Sequence, residues 1–168
     1  MTTLIALCLS GIAVMVTYLY VSIGKFNVPA SISQTFYLWE SWRKRSGLLF
    51  TAAMFAVTFL AIPYWISVTP DHLRFLAFLG GGALAFVGVA SHFLEPDEKP
   101  VHYGAAITWA VSTIAWTLAM GMWPFLAVSV CLCLCAWVFA GRRNTLFWAE
   151  LAVVMTLCLT LMSKMIEQ

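Results

Sequence analysis

Two histidines and a few acids are the residues of this sequence best suited to chemistry. His92 and His102 flank a stretch of nine residues that holds Glu95, Asp97 and Glu98, and a further acid, Glu150, stands inside an apolar run. Imidazole nitrogens and carboxylate oxygens are ligands that zinc accepts. A zinc ion held by His92, His102 and an acid would lower the pKa of a bound water, and a carboxylate would then act as base on an ester, amide or phosphate bond. A second group, Ser31, Ser33, Gln34, Tyr37 and Glu40, offers hydroxyl, amide and carboxyl groups for holding a polar ligand.

The elements that must position these groups are apolar helices. Of the 168 residues, 62% are hydrophobic and 10% charged, against roughly a quarter charged in a soluble domain. Six stretches approach the roughly 20 apolar residues that cross a bilayer as a helix, near 4–24, 48–68, 73–94, 101–121, 122–140 and 145–165. The fold expected is therefore all-α: a single polytopic membrane bundle of about six transmembrane helices, with the first apolar run a retained helix. Prolines and charges mark the breaks, at Pro29, Pro70, the run Glu95-Pro96-Asp97-Glu98-Lys99-Pro100, Pro124, and Gly141-Arg142-Arg143-Asn144. Trp42, Trp123 and Trp148 fall near span ends, as an interfacial aromatic belt requires.

Charge sets the expected orientation. Lys25, Arg43, Lys44, Arg45, Lys99, Arg142 and Arg143 lie in the loops after the first, third and fifth spans, and only Arg74 and Lys164 lie opposite. Cytoplasmic loops collect Lys and Arg, so loops one, three and five are expected in the cytoplasm and both termini outside, in a bacterial inner membrane. Most of the polar candidates then share one side of the bilayer.

Helical spacing refines their placement. Gly81, Ala85, Gly88 and His92 share a face of the third span, where small residues let a neighbouring helix approach closely. His102, Ala106, Trp109, Thr113 and Trp116 share a face of the fourth. A histidine at a helix end more often serves as an interfacial hydrogen-bonding group than as a ligand, and an acidic loop is often a solvated turn. Glu150 is different, because a carboxylate within a span needs a partner or a water-filled cavity; His102, Arg142 and Arg143 are the partners expected from charge. The five cysteines, Cys8, Cys131, Cys133, Cys135 and Cys158, lack zinc-site or disulfide spacing. A net charge of +2 without a basic stripe excludes nucleic acid as the expected partner.

Two short segments resemble known families. Val28-Pro29-Ala30-Ser31-Ile32-Ser33, followed by Phe36-Tyr37, resembles the P-x-S-I-S-x-x-Y element after the first helix in a family of uncharacterised bacterial multi-span proteins. The segment Val101-His102-Tyr103-Gly104-Ala105-Ala106 resembles the histidine element opening a later helix of that family. A similar pairing occurs in six-helix eukaryotic proteins typified by the damage-regulated autophagy modulators and a GPI-anchor lipid-remodelling protein. The resemblance spans about 20 residues and implies a membrane-embedded protein linked to lipid handling or signalling. It carries over Pro29, Ser31, Ile32, Ser33 and His102. The eukaryotic proteins place the equivalent loop in the lumen, whereas the charges here place it in the cytoplasm. The alkaline ceramidases, seven-helix intramembrane hydrolases, offer a poorer comparison: Ser91-His92 has the wrong spacing and no His-x-x-x-His is present.

Three functions compete. No complete catalytic constellation is visible, so the first expectation is a protein that binds membrane lipids or a protein partner, or a further copy of itself, through the polar face of loops one and three. The ligand-binding candidates are Ser31, Ser33, Tyr37, His92, Glu95, Asp97, His102 and Glu150. The alternative is a metal-dependent intramembrane hydrolase with zinc on His92 and His102. A small transporter or channel comes third, since the span centres offer only Ser, Thr and Cys and no inverted repeat appears.

Overall fold

Long apolar runs close their backbone hydrogen bonds most completely as helices, and this chain does so throughout. A computed structural model describes residues 1–90 and 99–167. Their helices are α1 (Thr2–Phe26), α2 (Gln34–Trp42), α3 (Leu48–Ser67), α4 (Arg74–Ala90), α5 (Lys99–Ala119), α6 (Trp123–Phe139) and α7 (Thr145–Ile166). A 3-10 turn, Asp71–Leu73, leads into α4, and no strand occurs among the described residues.

Among the described residues, four segments are long and apolar enough to cross a membrane: Thr2–Phe26, Leu48–Ser67, Asp71–Val89 and Thr145–Ile166. The expected six include α5 and α6, which fall short for different reasons. The 21 residues of α5 include Lys99, Pro100, His102, Gly104 and several hydroxyls, which dilute its hydropathy. The helix α6 is strongly apolar but has 17 residues, roughly 25 Å at 1.5 Å per residue, against a bilayer core of about 30 Å.

The bundle is held by close helix pairs: α1 on α3, α3 on α4, α4 on α5, and α6 on α7. Small residues make the α3–α4 approach possible. A Cβ at Gly81 would collide with the Ile62 side chain, and one at Gly88 would lie 2.8 Å from Met54 Cβ. The glycine face expected on this helix is thus the seam against α3.

Two apolar clusters fill the interior. One contains Met15, Phe36, Phe50, Met54, Trp109 and Phe147; the other contains Cys8, Tyr64, Trp65, Trp116 and Leu161. In the second, the Trp65 and Trp116 rings meet edge to face with centroids 5.3 Å apart. Trp116 Nε1 donates to Thr69 Oγ1 at 2.9 Å, and that hydroxyl donates to the Trp65 carbonyl at 2.6 Å. A buried indole N–H is thereby satisfied, as a low-dielectric interior requires.

The first loop is more structured than the sequence predicts, because it contains α2. This helix buries Thr35, Phe36 and Trp39 along one side. Trp39 Nε1 donates to Ser22 Oγ at 3.0 Å, and Lys25 Nζ sits 3.2 Å from the centroid of the Trp42 ring. At its end, Glu40 accepts from the amides of Arg45 (2.9 Å) and Gly47 (3.1 Å), which closes the turn into α3. The short helix is fixed across the end of the bundle by these contacts.

Candidate functional site

A helix N-terminus exposes backbone amides that have no partner within the helix. At α7 the first loop supplies a partner for one of them and bonds to two side chains of the helix start besides. The Phe147 amide donates to the Ala30 carbonyl at 3.0 Å, and Asn144 Nδ2 donates to the Val28 carbonyl at 2.7 Å. In return, the Ile32 amide donates to Glu150 Oε2 at 2.5 Å. Three hydrogen bonds therefore dock the segment 28–32 on the first turns of α7.

The docked loop is locally ordered as well. Ser31 and Ser33 hydroxyls lie 3.1 Å apart, the Gln34 amide donates to Ser31 Oγ at 3.0 Å, and the Ala30 amide donates to Gln34 Oε1. Thr35 Oγ1 donates to the Ile32 carbonyl and meets the Tyr18 hydroxyl, which ties the loop to α1. These bonds hold the serine hydroxyls at a fixed position over the end of the bundle.

Beneath the loop lies a cavity of about 630 Å³, within the size range of small-molecule sites. Ser31, Ser33, Gln34 and Tyr37 line it from the loop and α2, His102 and Tyr103 from α5, and Glu150 from α7. The rest of its wall is mainly apolar, with Met54, Leu84, Val87, Ala110 and Val154 among its residues, and Trp109 also lines it. Along α5 the lining runs from His102 to Ala110, roughly 12 Å at 1.5 Å per residue. Polar groups at one end and hydrocarbon along the shaft give the cavity the character of an amphiphile.

Two polar atoms on α5 stand out. His102 Nδ1 and Trp109 Nε1 are both buried and have no hydrogen-bond partner among the described residues, and both residues line the cavity. An unpaired buried donor or acceptor costs about 1–3 kcal/mol, and neither atom is open to a water-sized group in the cavity without a movement of its side chain.

Five of the sequence candidates, Ser31, Ser33, Tyr37, His102 and Glu150, thus meet around one space. His92, Glu95 and Asp97 lie outside the described residues, so the zinc pair His92–His102 does too. Among the described residues, no three His, Cys, Asp or Glu side chains gather as a metal site. The sequence asks of Glu150 a partner such as His102, Arg142 or Arg143, or else a water-filled cavity. The structure gives it the Ile32 amide and a place in the cavity wall, and among the described residues no Lys or Arg forms an ion pair with it.

Backbone donors leave no trace in side-chain spacing, which is why this partner escaped the sequence reading. The Trp109 contribution was accessible, since His102, Ala106 and Trp109 share one helical face and all three line the cavity. No protein-family model, curated protein or solved structure matches this chain.

Proposed function

We propose that this chain is a six-span integral membrane protein that binds a membrane lipid in the cavity beneath its first loop. The observation that carries the reading is the division of that cavity. Hydroxyl, amide, imidazole and carboxyl groups sit at one end, and an apolar shaft runs inward from them. A solute of purely polar character would leave the shaft unfilled, and a hydrocarbon alone would leave buried polar atoms unpaired.

In this reading α5 and α6 join the four longer helices as spans, loops one, three and five face the cytoplasm of a bacterial inner membrane, and both termini lie outside. Support for the orientation comes from the seven cationic residues after spans one, three and five against two opposite. The two segments whose resemblance implies lipid handling or signalling contribute Ser31, Ile32, Ser33 and His102 to the same cavity wall. That convergence supports the reading from a second direction.

Native mass spectrometry of the protein released from a mild detergent tests it. Wild-type protein is expected to retain lipid in stoichiometric amount, and Ala106→Phe, which places a ring in the shaft, is expected to lose it. Equal retention by the two proteins, or none by either, would refute the cavity as a lipid site.

A further inference from the structure

The polar end of the cavity is unusual in what it lacks: among the described residues no Lys or Arg lines it. Arg142 and Arg143 precede α7 but are solvent-facing and form no part of the wall. Lipid phosphates are ordinarily met by cations or by clusters of charge-assisted donors. Here the groups presented are the Ser31 and Ser33 hydroxyls, the phenols of Tyr37 and Tyr103, His102 and the Glu150 carboxyl. An ionised Glu150 would repel a phosphate, and a protonated one would offer a single donor. Hydroxyls that both donate and accept match this mixed set far better.

The wall also has a side opening. On α5, Tyr103 and Ile107 line the cavity yet are 56% and 63% exposed; on α7, Leu146 lines it and is 53% exposed, with exposed Ala149 beside it. Both helices thus carry cavity-lining residues that are largely exposed, and this exposure points to a slot between them that opens the cavity sideways. Ile107 stands eight residues into α5, roughly 12 Å from its start, a depth that places the slot against acyl chains when α5 spans the bilayer. Apart from the Tyr103 phenol, the slot is bordered by the apolar side chains of Ile107, Leu146 and Ala149, as a route for hydrocarbon requires.

On the strength of the lipid-binding reading, we infer that the ligand is a lipid with an uncharged, hydroxyl-bearing head group that inserts one hydrocarbon chain through the slot between α5 and α7. The head group exchanges hydrogen bonds with the serines, His102 and Glu150. The chain occupies the shaft towards Met54 and Val154. A free polyol shares the head-group chemistry but would have no use for the shaft or for an opening onto lipid.

The test compares three probes on the purified full chain: monooleoylglycerol, oleoyl lysophosphatidic acid with the same chain, and glycerol. Monooleoylglycerol is expected to bind saturably and roughly tenfold or more tighter than the phosphate lipid, because among the described residues no cation lines the cavity to meet a buried phosphate. Glycerol is expected not to compete. Equal or tighter binding of the phosphate lipid overturns the head-group inference and leaves the lipid-binding reading standing. Competition by glycerol at similar concentration overturns the lipid source. Binding of neither lipid overturns the lipid-binding reading itself.

The route is read separately, from uptake of monooleoylglycerol out of vesicles. Ala149→Trp, at the slot, is expected to slow uptake several-fold, and Leu132→Trp, on the exposed side of α6, is expected to leave it unchanged. Equal rates in both variants overturn lateral entry.

Discussion

Glu150 and Ile32, 118 positions apart in the chain, are joined by a hydrogen bond from the Ile32 amide to Glu150 Oε2 at 2.5 Å. The bond gives the carboxylate a structural task, docking the first loop, and leaves the side chain at the cavity wall. The two tasks separate by substitution. Glu150→Gln retains an oxygen that can accept from the Ile32 amide, so it is expected to keep most of the stability. Glu150→Leu leaves that amide unpaired and is expected to cost about 1–3 kcal/mol. Unfolding in detergent, followed by circular dichroism, measures both; equal losses in the two variants would show that the acceptor oxygen is not what matters.

The α3–α4 seam gives a sharper steric prediction. A Cβ at Gly81 would meet the outer end of the Ile62 side chain, which must then turn aside within the seam, whereas Gly82 has open space around the same position. Gly81→Val is expected to destabilise the bundle by about 1–3 kcal/mol through overpacking. Gly82→Ala is expected to be neutral or slightly stabilising, since alanine is the better helix former. Midpoints of unfolding compare the two, and a neutral Gly81→Val would mean that the helices separate readily.

These two contacts also show what the sequence discloses and what it withholds. Helices lie on the runs where they are expected, four of them long and apolar enough to cross a membrane, because each rests on a long run bounded by proline or charge. The glycine face is legible because helical period converts spacing directly into neighbourhood. Helix α2 is not: nine residues with Thr35, Phe36 and Trp39 buried make too short an apolar pattern to separate from a loop. Its stability comes from tertiary contacts, such as Trp39 with Ser22, rather than from propensity. The site was half legible. Residue types located the Ser31, Ser33, His102 and Glu150 cluster at one end of the bundle. The docking of 28–32 on α7 depends on backbone groups of Val28, Ala30 and Ile32, which look the same in every sequence.

The orientation rests on charge and is open to direct measurement. Ser41 is exposed on α2 and His72 is exposed in the turn before α4, so the two positions flank α3. Neither belongs to the cavity wall, so Ser41→Cys and His72→Cys are expected to fold normally. A membrane-impermeant maleimide, with the wild-type chain as the background for its own cysteines, is expected to label Ser41→Cys in inside-out vesicles only. It is expected to label His72→Cys in right-side-out vesicles only. The reverse pattern would invert the orientation and place the serines and Glu150 on the outer face. Labelling of both variants from one side would go further: α3 would not cross the bilayer, and the six-span arrangement would fail with it.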